Sequence, residues 1–206
     1  MIFTDEQKLV QESIRSWATD RLAPGAADRD RQAAFPSDLI PEIAELGLFG
    51  MTVPEQWKGA GLDMVCLALA LEEIAAADGA CSTIISVNNS VVCGPLLSYG
   101  SDYLKDRYLK QTASGQKLGC FCLTEPEAGS DASAIRTRAV KNDQGYVLNG
   151  TKQFITNGQN ADIAIVFAVT DPDGGKKGMS AFVVETKNSG YASCHFWQKS
   201  DELVDG

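Results

Sequence analysis

Apolar residues recur at helical spacing as far as about residue 116, and from Lys117 they alternate in twos. That single change of period constrains the chain more than any other feature. It predicts an α+β protein: an all-α N-terminal domain over 1–116 and a small antiparallel β-barrel or sandwich over 117–191, with a short tail left over 192–206. The boundary falls near Gly115-Gln116.

In the helical part, Thr4 and Gln7 have the spacing of a capping box, and Val10, Ile14, Trp17 and Ala18 form one apolar stripe behind it. Pro24-Gly25 should end that helix, leaving Asp28 to Arg31 as a solvated linker. Ser37 can cap a second helix with Leu39, Ile43 and Leu46 on one side and Gly47 at its close. Pro41 falls in its first turn. A loop rich in Gly and Pro, Val53 to Leu62, leads to a helix over Met64–Ala77. The next helix, Ser82 to Tyr99, carries Asn88 and Asn89 at its centre and should stop near Gly94-Pro95. Those amides either line a ligand pocket or bond to neighbouring helices, and the second reading is the more economical. Ser101 caps a last helix that ends at Gly115.

After the change of period, Leu118 to Leu123 reads as a buried strand, Arg136 to Lys141 alternates, and Asn142 to Gly145 is a turn. Asn149-Gly150 predicts a tight hairpin that pairs Tyr146-Val147-Leu148 with Gln153-Phe154-Ile155. Ile163 to Val169 and Ser180 to Val184 complete about five strands, with an exposed loop at Asp171 to Gly175.

Composition narrows the function classes. Twenty-seven acidic against eighteen basic side chains give a net charge of -9, which leaves no basic stripe for nucleic acid. The longest apolar run, Met64 to Leu71, is too short to span a bilayer, and the N-terminus has no signal-peptide pattern. The six cysteines lack Cys-x-x-Cys spacing and only His195 could join them as a ligand, so no metal site is expected. Buried free thiols fit a reducing compartment, and the cytoplasm is the expected location.

The chemistry concentrates where the period changes. Phe121-Cys122-Leu123-Thr124-Glu125-Pro126 is a strand that breaks at proline and runs into Ala128-Gly129-Ser130-Asp131. Open amides and short hydroxyls at such a strand end can meet a polar cofactor while apolar neighbours exclude water.

Thr124-Glu125-Pro126-x-Ala128-Gly129-Ser130-Asp131, followed by Asn149-Gly150-x-Lys152-x-Phe154-Ile155-Thr156-Asn157-Gly158, resembles the paired signature of the acyl-CoA dehydrogenase family. Val53 to Leu62 resembles the family's Pro-Glu-x-aromatic-Gly-Gly-x-Gly segment, with Lys58 where Gly is usual. The resemblance runs to about Tyr191 and covers about the first half of a usual member. The family's C-terminal helical bundle has no counterpart in it.

The resemblance implies an FAD enzyme that converts a short or branched acyl-CoA to the trans-2-enoyl-CoA. Electrons would pass to an electron-transferring flavoprotein, and full-length relatives would be tetramers. Phe121, Leu123, Thr124, Gly129 and Ser130 would line the flavin, with Ser130 also at the substrate. Phe154 would stack on the ring, where Trp is frequent, and Ile155 and Thr156 would follow it. The catalytic carboxylate would lie beyond residue 206, so none of the acids present is assigned as the base. Weak or absent FAD binding follows for these residues by themselves. Two further readings remain: a flavin monooxygenase or oxidase of the same fold, and a non-catalytic remnant that binds a nucleotide or a partner.

Overall fold

The structure is a computed structural model that describes residues 2–143, 145–187 and 190–193. Cys194, His195 and the end of the tail lie outside the described residues. Helix α1 (Asp5–Trp17) opens on the expected box. Gln7 N donates to Thr4 Oγ1 at 3.2 Å, and Thr4 N donates to Gln7 Oε1 at 3.0 Å.

Pro24-Gly25 does not end the helix. A π-helical stretch (Ala18–Leu22) leads straight into α2 (Ala23–Gln32), with Pro24 in the first turn of the renewed α-helix, where a missing N–H does least harm. The expected linker is therefore helical, for a reason that is not local. Arg29 reaches across to Asp78, with Nη2 2.9 Å from Oδ2, and both side chains are largely buried. Ser37 is not a cap either, since α3 (Ile40–Glu45) starts at Leu39 without a side-chain cap bond.

Helix α4 (Met64–Ala77) has the predicted ends, and Asp63 caps it by accepting from Cys66 N at 2.7 Å. It lies along α1, tied by Arg15 to Glu73 at 2.6 and 2.9 Å and by Gln7 to Asp63 at 2.8 Å. Helix α5 (Gly79–Val87) runs through a π-helical stretch (Asn88–Cys93) into α6 (Gly94–Tyr99), so Gly94-Pro95 does not stop it. This unbroken Gly79–Tyr99 rod is long and apolar enough to cross a membrane, a length that the Met64 to Leu71 run did not reveal. Here it is a core helix. Cys81, Ile84 and Ile85 are buried on it with Ile43, Phe49, Met51 and Ile74, and Val92, Cys93 and Leu96 are buried with Val53, Leu109 and Ala113. Burial pushes the Cys81 and Cys93 thiols up to about 12, so they stay protonated. Ser101 Oγ caps α7 (Asp102–Leu104), which continues through Lys105–Leu109 to α8 (Lys110–Ala113). Gly115 then turns at φ 72°, where a Cβ would fall 2.5 Å from that of Ala44.

The two asparagines bond to neighbouring segments, as the more economical reading held. Asn88 Nδ2 donates to Phe49 O at 2.9 Å and Thr112 O at 3.0 Å, while its Oδ1 accepts from Gly119 N at 3.0 Å. Asn89 Oδ1 accepts from Met51 N at 2.8 Å, and its Nδ2 donates to Leu48 O and Ile85 O. One wholly buried side chain thus joins the loop after α3, the end of α8 and the first residue of the sheet.

Strand β1 (Gly119–Cys122) starts from that joint. It pairs in parallel with β4 (Ile163–Val169), Gly119 opposite Ile163. Strands β2 (Arg138–Asn142) and β3 (Gly145–Asn149) form an antiparallel hairpin at the expected turn. Strand β5 (Met179–Glu185) lies antiparallel along the whole of β4. A parallel bridge, Arg138 opposite Val169, ties β2 to the far end of β4.

Two expectations need correction. The sheet is mixed, and closure into an antiparallel barrel is not seen among the described residues. Asn149-Gly150 makes no hairpin: no strand follows until Ile163, and β3 pairs with β2 only. Gly150 is needed for close approach instead, because a Cβ there would lie 2.3 Å from Thr137 Oγ1.

Replacing Asn88 with Leu leaves the Gly119 N–H buried without a partner, and it strips Phe49 O and Thr112 O of their amide donor, leaving them the Cys93 thiol and the Gly115 N–H. The orphaned N–H costs about 1–3 kcal/mol and each lost bond about 0.5–1.5 kcal/mol. The variant should lose about 2–5 kcal/mol of stability, read as a lower urea midpoint at an unchanged m-value.

Candidate functional site

The two motifs meet at the end of β1. Past Cys122 the chain leaves the sheet, and a single bridge between Glu125 and Ala128 closes a tight turn at Pro126-Glu127. The second motif runs alongside, with Gln153 N donating to Thr124 O at 2.8 Å. Lys152 then stitches the two together. Its Nζ donates to Leu123 O at 3.1 Å and to Glu125 Oε1 at 2.8 Å.

Glu125 is the anchor of this arrangement. Its carboxylate is 7% exposed and also accepts from Arg136 N, Thr137 N and Thr137 Oγ1. Burial alone would push its pKa up. Lys152, the Thr137 hydroxyl and the two backbone amides outweigh that and hold it down at about 2. Both residues lie in the quoted motifs, but 27 positions separate them and no local pattern pairs them.

The clamped segment presents its side chains unusually. Phe154 is 78% exposed and has a left-handed backbone, φ 57°. A bulky residue in that region is strained by about 1–2 kcal/mol. A core role for Phe154 is thereby excluded, and no strand passes through Thr156 to make it a strand-end residue. Ile155 packs on the cluster around Cys120 and Cys122. Thr124 and Thr156 are both half-buried, so neither is sealed in hydrocarbon.

The other assigned residues fall as follows. Leu123 is half-buried and engaged through its carbonyl. Phe121 belongs partly to the core, edge-on to Phe167 with ring centroids 5.1 Å apart. Gly129 and Ser130 are exposed on the outer turn, and space is open around Gly129. The nearby acids are engaged: Glu127 pairs with Arg136, and Asp131 Oδ1 accepts from Ser133 N at 3.0 Å.

Two shallow clefts flank this region, one of about 220 Å³ beside Glu125 and Gly150, the other of about 270 Å³ beside Asp162 and Tyr191. Both fall below the roughly 300–1,000 Å³ of ordinary ligand pockets. Among the described residues no cluster of His, Cys, Asp or Glu could hold a metal ion.

The family models agree with the motifs. Residues 4–116 match the "Acyl-CoA dehydrogenase, N-terminal domain" and residues 120–200 the "Acyl-CoA dehydrogenase, middle domain". The chain belongs to the acyl-CoA dehydrogenase family. It is 44% identical over 191 residues to an acyl-CoA dehydrogenase of Bacillus subtilis, covering 93% of this chain and 50% of that protein. It is 42% identical over 199 residues to the mitochondrial short-chain specific acyl-CoA dehydrogenase of Mus musculus, covering 97% and 48%.

Among solved structures, butyryl-CoA dehydrogenase from Megasphaera elsdenii superposes with TM-score 0.88 at 39% identity, over 92% of this chain and 51% of that one. A glutaryl-CoA dehydrogenase from Mycobacterium smegmatis in complex with FADH2 gives 0.89 at 33% identity, over 96% and 50%. A chain of the structure described as the electron transferring flavoprotein of Acidaminococcus fermentans gives 0.90 at 38%, over 92% and 50%. The chain thus spans about half the length of the acyl-CoA dehydrogenases that it matches.

Lys152→Met leaves the Glu125 carboxylate buried without its cation and should cost about 3–5 kcal/mol in urea unfolding. The pH dependence has a definite sign. Because the folded state holds Glu125 below its ordinary 4.5, its contribution is present above pH 4.5 and is lost as pH falls toward about 2. In the wild type that loss amounts to about 3 kcal/mol, and Glu125→Gln should flatten the profile over this window.

Proposed function

We propose that this chain is the N-terminal and middle part of a flavin-dependent acyl-CoA dehydrogenase that acts on short or branched acyl-CoA thioesters in β-oxidation-type chemistry. The observation that carries the reading is Phe154: a large aromatic facing solvent on a left-handed backbone. Such strain persists only where neighbouring contacts enforce it, and here those contacts come from both motifs.

FAD, when bound, supplies the acceptor for the hydride that leaves the substrate. The chain's own residues bind and orient. The Phe154 ring offers a stacking face, and the Thr124 and Thr156 hydroxyls can donate to polar atoms at the ring's edge. Ile155 and the apolar cluster beneath it exclude water from that side. Ser130, on the exposed turn, would meet the acyl-CoA. We assign the general base to none of the acids present. The electron acceptor would be an electron-transferring flavoprotein, the full-length assembly a homotetramer, and the location cytoplasmic.

Phe154→Gly separates binding from folding. Glycine relieves the left-handed strain, so stability should hold or rise by about 1 kcal/mol. FAD affinity, read by quenching of flavin fluorescence, should fall about tenfold or more as the stacking face is lost. Residues 1–206 by themselves should bind FAD weakly and leave butyryl-CoA unoxidised. If FAD binds equally well to wild type and Phe154→Gly, this face is not the flavin site.

A further inference from the structure

The turn that carries Phe154 and Thr156 is held from beneath by a side chain outside both motifs. Tyr191 lies beyond β5, yet its hydroxyl donates to Gly158 O at 2.9 Å. A carbonyl can only accept, so the phenol's one proton goes there. Cys120 Sγ, 3.9 Å from the phenol oxygen, is left to donate to it, and Cys122 Sγ, 3.7 Å further on, can donate in turn to Cys120. The ring packs on the same cluster as Ile155. Burial pushes the phenol's pKa up, with Cys120 and Cys122 adding to it, so the proton stays in place.

From the other side, Asn157 Nδ2 donates to Gly119 O at 3.1 Å and to Ile84 O at 3.5 Å, reaching the sheet and the helical domain together. Asn157 is also left-handed, φ 65°, and its Oδ1 is buried without a hydrogen-bond partner. Two strained residues within four positions need support on both flanks.

We propose that the Tyr191 hydroxyl is a positioning group that fixes residues 154–158 through Gly158 and so sets how Phe154 and Thr156 meet the cofactor. This rests on reading that turn as the flavin contact. Phenylalanine at 191 would keep the ring in its packing and remove the bond to Gly158 together with the weaker contact to Cys120, which isolates the hydroxyl's role.

The test is Tyr191→Phe, followed by amide hydrogen exchange. The N–H groups of Gly158, Asn160 and Ala161 bond to Ile155 O and Asn157 O inside the turn. Their exchange should quicken about fivefold, while β4 amides and the urea midpoint stay close to wild type. FAD titrated against both forms should show a several-fold weaker Kd in the variant. Unchanged exchange at 158–161 would overturn the proposal. Faster exchange with the same FAD Kd in both forms would uphold the bond's hold on the turn and sink its effect on the cofactor.

Discussion

The fold depends on what happens at Asn88. Its amide occupies the one place where the loop after α3, the end of α8 and the start of β1 come within hydrogen-bonding distance. The Gly119 N–H there has no backbone partner, the Phe49 carbonyl has otherwise only a thiol and the Thr112 carbonyl one turn N–H, and Asn88 is wholly buried. A side chain with donors and acceptor on one planar group meets all three. The π-helical stretch Asn88–Cys93 is what places two successive asparagines on the inner side of a rod that is otherwise hydrocarbon. The helical domain and the sheet are therefore joined through a specific polar contact set in an apolar interface, which fixes their register more sharply than apolar packing does.

A second buried polar group fixes the face where the two motifs meet. Glu125 takes bonds from two amides, a hydroxyl and an ammonium, and so holds the segment before β2 against the segment after β3. Neither segment is regular, and neither has ladder partners to hold it. The left-handed Phe154 persists because Lys152 and Gln153 on one side and Asn157 on the other are pinned to β1 or its extension. Local strain at the face is thus offset by charge-assisted bonds a few ångströms away.

How much of this was legible follows from how local each signal is. Helix α4 and strand β4 could be read to the residue, since a clear period is bounded by turn or cap chemistry. The Thr4–Gln7 box was legible for the same reason. Pro24 misled because the helix is carried past it by Arg29 and Asp78, 49 positions apart. Asn149-Gly150 misled because a glycine needed for close approach to Thr137 looks the same in sequence as one needed for a hairpin. The parallel pairing of β1 with β4 has no sequence signature at all, since strand spacing does not say which strands pair. The site residues were visible only through the motifs. Lys152 and Glu125 were both in plain sight within them, but their pairing was not.

The turn also shows how an acidic chain can neutralise one of its segments. A net charge of -9 works against any anion near the surface unless the closest carboxylates are neutralised or turned aside. In the first motif each acid is occupied. Lys152 neutralises Glu125 in the interior, where the pairing is least screened. Arg136 sits against Glu127 at the surface, a pair worth little for stability but sufficient to cancel the local charge. Asp131 spends one oxygen on the backbone and hydroxyl of Ser133. What remains facing outward is the open backbone around Gly129 and the Ser130 hydroxyl, groups that can donate to an anion. The motif's acids therefore shape and neutralise the turn, and its outward side is left to neutral groups.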